Sequence, residues 1–135
     1  MAGEGPDAVG RVALVWDEEL GDYDLGAGHP LAPVRVELTI DLIRHAGLVG
    51  AGVDETRPRP ITETELLRLH RDDFVDTVKR LSLDPSARAE AAYGLGAGDT
   101  PAFPGMHPAS MLVCSASVEA ARQVWEGEAD HAFNP

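Results

Sequence analysis

The sequence predicts an α/β fold, and three observations carry that expectation. Residues 12–16 are a short apolar run without alternation, as in a strand buried on both faces. Helical spacing follows in three stretches, over 34–48, 62–84 and 105–126. The last residues, 129–134, read as the start of another strand. Strand, loop, helices, loop, helix, strand is the order of a chain that buries a mainly parallel sheet between helices.

Taken in order, the elements are justified as follows. Residues 1–10 are small, acidic and Gly-rich, without the basic and apolar regions of a signal peptide, so a flexible leader is expected, with a domain over 11–135. Asp17 breaks the first strand, and the Gly and Pro content of 21–33 predicts an irregular loop. Over 34–48 the apolar residues alternate as in a strand, yet Val36, Ile40, Ile43 and Gly47 also share one helical face, with Leu38, Leu42 and Ala46 beside it. Length favours a helix, since a strand of that extent is unusual. Residues 50–60 read as loop with a short strand around Val53. Thr62 and Glu65 form a capping-box pattern, in which the hydroxyl caps the first turn and the carboxylate reaches back. Phe74, Val78 and Leu81 make one stripe of the next helical stretch, which Asp84-Pro85 ends. Residues 93–105 form a second shaped loop. Met111, Cys114, Val118, Ala121 and Trp125 repeat at three and four, the stripe expected to be buried in the last helix, which Gly127 ends.

Composition narrows the function. Lys and Arg number 11 against 23 Asp and Glu, a net charge of −12, which repels phosphate backbones and argues against direct nucleic-acid binding. The one cysteine, Cys114, excludes an internal disulfide and a Cys-based zinc site. It is expected to be a small core residue. No apolar run is long enough for a transmembrane helix, and a cytoplasmic protein without membrane association is expected. His29, His45, His70, His107 and His131 are scattered, with no pair at metal-ligand spacing, and His70 reads as a packed histidine. Chains of this order bind ligands on loops at the carboxyl ends of parallel strands, so the loops at 21–33 and 93–105 are where function is expected. On the bare sequence Asp99 suits a turn, as Gly-Asp-x-Pro does, and Arg35 a solvated helix start.

The stretch Tyr23-Asp24-Leu25-Gly26-Ala27-Gly28-His29-Pro30-Leu31-Ala32-Pro33-Val34-Arg35 resembles the first loop of the histone deacetylase superfamily, closest to the bacterial acetoin-utilisation type. Residues 65–75, ELLRLHRDDFV, resemble that family's helix–His–x–x–Asp–aromatic segment. Residues 93–106 resemble its Gly-rich loop with Asp-x-Pro, and Ala132-Phe133-Asn134-Pro135 resembles the lead-in to its Gly-Gly-Leu-His-His segment. The resemblance implies a three-layer arginase/deacetylase-like α/β fold around a mainly parallel sheet. It implies hydrolysis of an acetyl-lysine peptide or a small acetylated amine, with Zn2+ or another divalent ion polarising the acetyl carbonyl and activating water. Two histidines would move protons and a tyrosine would hold the oxyanion. Those groups and the metal ligands would follow Pro135, so the resemblance implies an N-terminal part that contains no catalytic or metal residue, binds no cofactor and is inactive alone. The alternative is a non-catalytic binding or dimerising module that keeps the pocket wall. Within the chain, the resemblance assigns Asp99 to the rim, where an ionised carboxylate can accept from two substrate N–H groups. It assigns Pro30 to the shape of the pocket mouth, and Arg35 to the product channel or to organising its loop.

Overall fold

In a computed structural model, residues 10–135 are described, apart from Asp24, Ala89, Glu90 and Ala97. The leader expected over 1–10 therefore falls, but for Gly10, outside the described residues. Strand β1 (Val12–Val15) is central in a three-stranded sheet of order β2-β1-β3, with β2 at Val53–Thr56 and β3 at His131–Phe133. Both pairings are parallel, Val12 facing Val53 on one side and His131 on the other. Successive strand side chains point to opposite faces, and Ala13, Leu14 and Val15 are all buried, so both faces of β1 are covered. That is why the run shows no alternation.

Helix α1 (Val34–His45) settles the ambiguity of that segment. Pro33 stands at its N-cap in helical conformation, and the Ala32 and Pro33 carbonyls accept from Arg35, Val36 and Glu37. Val36, Ile40 and Ile43 pack into a core with Leu14, Val15, Trp16, Leu20 and Ala116. Leu38 and Leu42, expected beside that face, are instead 61% and 70% exposed. Gly47 follows the helix at φ +69°, where glycine closes a helix without strain.

Helix α2 (Glu63–Leu66) starts with the expected capping box: the Glu65 amide donates to the Thr62 hydroxyl, and Glu65 Oε2 accepts from the Thr62 amide at 2.7 Å. Helix α3 (Asp72–Leu83) buries Val75, Val78 and Leu81 and stops at Asp84. Val78 and Leu81 form a second core cluster with Met106, joined by Phe74, Leu95 and Phe103.

Helix α4 (Met106–Trp125) corrects the predicted stripe. Its buried residues are Met106, Ser115, Ala116, Glu119 and Gln123, while Val118 is half exposed and Trp125 is 91% exposed. The reason is polar satisfaction. Ser115 Oγ accepts the Ile61 amide at 3.1 Å, and Glu119 accepts from Arg59, Arg122 and Gln123. Apolar residues lie nearly all round α4, so hydropathy spacing alone could not pick the inward face. Cys114 is half-buried, short of the core position expected, and His70 is exposed rather than packed inside.

Candidate functional site

The first loop leaves the carboxyl end of β1. Gly26 and Gly28, at φ +95° and +81°, take backbone conformations that only glycine holds without strain. The His29 amide closes a turn onto the Gly26 carbonyl at 3.2 Å. Arg35, in the first turn of α1, turns back on this loop and donates from Nη1 to the Pro30 carbonyl at 2.9 Å. The sequence left two roles open for Arg35. The contact with Pro30 organises the loop, and the same residue lines a cavity of about 390 Å³ with Tyr23, Leu31, Thr39, Phe133 and Asn134. Phe133 and Asn134 close β3, so this cavity lies where an α/β sheet is expected to bind ligand.

The second loop is fastened at both ends. At its start Tyr93 hydrogen-bonds the side chain of Asp73, and Phe74 lies between the His70 ring, stacked with centroids 6.0 Å apart, and the Tyr93 ring, edge-on at 5.6 Å. The His–x–x–Asp–aromatic string that leads into α3 thus anchors the loop. At its end the Gly105 amide donates to the Ser82 carbonyl at 3.1 Å, and the His107 amide to Ser82 Oγ at 3.2 Å. In between, the Gly96 amide donates to the Thr100 carbonyl at 2.9 Å and the Thr100 hydroxyl to the Gly94 carbonyl. The Arg71 guanidinium and then the Tyr93 hydrogen bond hold the Asp73 carboxyl at about 2, below its usual 3.8. A carboxyl depressed in this way contributes stability above pH 3.8 that is lost as pH falls through about 2. We expect a carbon-detected NMR titration to place the Asp73 midpoint near 2, with the Tyr93 ring resonances moving in step; a midpoint at 3.8 refutes the anchor.

The two loops meet. His29 Nε2 lies 3.3 Å from the Asp99 carbonyl oxygen, and His29 Nδ1 lies 3.2 Å from the Leu31 amide, which donates to it. Pro30 and Arg35 are therefore in direct contact, and Asp99 is joined to them through His29. It is the Asp99 backbone that makes this link, and its side chain is exposed. Sequence reasoning missed His29 and the Asp73–Tyr93 anchor as working parts. The signal for both was present in the Gly-His-Pro and His-x-x-Asp strings, whose polar residues had no partner assigned.

Among the described residues, no group of three or more His, Cys, Asp or Glu is placed to hold a metal ion. The described residues therefore do not fit a divalent ion. A second cavity, of about 230 Å³, is lined by Leu66, His70, Phe74, His107, Met111 and Cys114. Burial pushes the Cys114 thiol up, away from the thiolate a nucleophile needs.

The fold is that of a known class. The crystal structure of the HDA15 HD domain superposes with a TM-score of 0.74 at 22% identity, covering 92% of this chain and 34% of that one. The chain is thus part of an arginase/deacetylase-type α/β fold with a parallel sheet. The sequence profile of the "Histone deacetylase domain" matches residues 29–135, and the chain belongs to the histone deacetylase family. It is 40% identical over 123 residues to the acetoin utilization protein AcuC of Bacillus subtilis, covering 90% of this chain and 31% of that protein. It is 30% identical over 132 residues to histone deacetylase RPD3 of Saccharomyces cerevisiae, covering 96% of this chain and 30% of that protein. Rice histone deacetylase 3 is 34% identical over 128 residues, covering 92% of this chain and 25% of its own. The chain spans about a third or less of the length of each of these relatives.

Proposed function

We propose that this chain forms one wall of the substrate pocket of a metal-dependent deacetylase acting on an acetyl-lysine peptide or a small acetylated amine. The supporting observation is the meeting of the two shaped loops through His29, which gathers Pro30, Arg35 and Asp99 on one side of the fold. In this reading the exposed Asp99 carboxylate accepts the substrate's backbone N–H groups, Pro30 shapes the mouth, and Arg35 faces the cavity through which acetate leaves. The metal ligands and proton-moving histidines would come from the remaining part of such a domain, so the chain alone is an inactive N-terminal portion. The alternative of a non-catalytic module has no observation of its own behind it. The net charge of −12 supports a basic peptide partner over nucleic acid. Among the described residues no helix is long and apolar enough to cross a membrane. We propose a cytoplasmic setting, which cell fractionation would check.

NMR titration tests the pocket wall. An acetyl-lysine peptide is expected to shift the amides of His29, Leu31, Arg35, Gly98, Asp99 and Thr100 more than the same peptide unacetylated. Equal or absent shifts count against the reading. Incubated with Zn2+ and a fluorogenic acetyl-lysine peptide, the chain alone is expected to show no turnover, and chelator-sensitive hydrolysis refutes its inactivity.

A further inference from the structure

We propose that the cavity between α3 and α4 is a binding site for a small uncharged hydrocarbon of alkylbenzene size, seated against the second loop and fastening it. The cavity holds about 230 Å³ and draws its wall from four parts of the chain. Leu66 comes from α2, Phe74 and Val78 from α3, Leu95 from the second loop, and Met106 and Met111 from α4. Val78 and Met106 are also buried members of the second core cluster, so part of the wall is fixed packing.

The wall decides what the guest can be. It is almost wholly apolar, so a water molecule inside would find few of the about two to four polar partners it needs. His107 Nε2 is shut off from the surface and has no hydrogen-bond partner, so it offers a polar guest no hook. Burial raises the Cys114 thiol, which therefore lines the cavity as neutral sulfur. A charged guest would lose its hydration with nothing in return. Size sets the rest. A cavity of about 150 Å³ walled by leucine, isoleucine and phenylalanine takes benzene. One about half as large again has room for a benzene ring and about two or three further carbons. Met106 and Met111 suit such a guest, since an unbranched thioether adapts its shape and packs well against ring edges.

The guest would touch two parts that hold the second loop. Leu95 belongs to that loop, and the Phe74 ring packs edge-on against Tyr93 at its start. The Gly96 amide, next to Leu95, donates to the Thr100 carbonyl at 2.9 Å. Filling the space beside Leu95 removes the room into which its side chain can swing, and so steadies the loop.

Methyl NMR of the whole chain with ethylbenzene tests this. Saturable shifts are expected at the methyls of Leu66, Val78, Leu95, Met106 and Met111. Those of Leu38 and Leu42, 61% and 70% exposed on α1, should not move, and they control for adhesion to bare apolar surface. Phenethylammonium, similar in shape but cationic, should bind at least about tenfold more weakly. Cys114→Leu fills part of the cavity and should weaken ethylbenzene binding about fivefold or more. Leu95→Ala enlarges it and should shift the preference toward butylbenzene about threefold or more. With ethylbenzene bound, the Gly96 amide should exchange about threefold more slowly. Absent shifts, shifts of equal size at Leu38 and Leu42, or folded variants that bind both hydrocarbons as the wild type does, overturn the site. Saturable binding with unchanged Gly96 exchange overturns its hold on the loop.

Discussion

Replacing Leu14 with alanine is expected to lower the stability of the fold by about 2–5 kcal/mol, the range for emptying a filled core site. Leu14 is 1% exposed and lies at the middle of β1, in register with Glu55 of β2 and Phe133 of β3. Its side chain belongs to the cluster that also contains Ile40 of α1 and Ala116 of α4. The cavity left behind would thus touch the strand, the helix that carries Arg35 and the helix that leads to β3. A domain has only about 5–15 kcal/mol in total, so one such loss takes a large share. Leu42→Ser is the matched control. At 70% exposure it should change stability by no more than about 0.5 kcal/mol. Urea unfolding of both variants checks the pair. A Leu14 variant that loses less than about 1 kcal/mol would contradict its place in the core.

Glu119→Ala is expected to cost about 2–3 kcal/mol. Glu119 is a buried carboxylate that accepts from Arg59 Nε at 2.8 Å, Arg122 Nη2 at 2.6 Å and Gln123 Nε2 at 3.0 Å. Breaking a fully buried pair costs about 3–5 kcal/mol, because the surviving charge is stranded. The expected value is lower here because the Arg59 and Arg122 side chains are 63% and 22% exposed and can rehydrate. Arg59 lies in the link between β2 and α2, so the carboxylate fastens that link to α4. Glu119→Gln keeps an acceptor for Gln123 and should lose about half as much. A double-mutant cycle with Arg59→Ala should return a coupling of about 1 kcal/mol or more, and additivity within about 0.3 kcal/mol would show the two side chains to be independent.

The fold class was legible because its signals are local. The unbroken apolar run of β1, the capping box at Thr62 and the Asp84-Pro85 stop each act within a few residues of chain. The inward face of α4 was not legible, because Glu119 and Ser115 are buried by virtue of partners at positions 59 and 61, outside the helix, that spacing within it does not reveal. The exposure of Leu38 and Leu42 escaped notice for the same reason: an apolar side chain reads alike whether or not a neighbouring layer covers it. At the candidate site the loops and the residues Pro30, Arg35 and Asp99 came from the sequence strings. Their joining came from His29, 70 residues away from Asp99, a distance over which periodicity carries no information.

The sheet also sets the order in which the molecule can assemble. The Arg11 amide donates to the Asp130 carboxylate at 2.7 Å across a separation of 119 residues, beside the pairing of Val12 with His131. On the ribosome β1 can find β2 early, but it has no second neighbour until those 119 residues have been made, roughly 6–24 s at about 5–20 residues per second. Until then one side of the central strand shows unpaired backbone to the cell. Residues 12–15 thus wait for residues 131–133, and a chaperone that shields bare strand edges would do its most useful work in that interval.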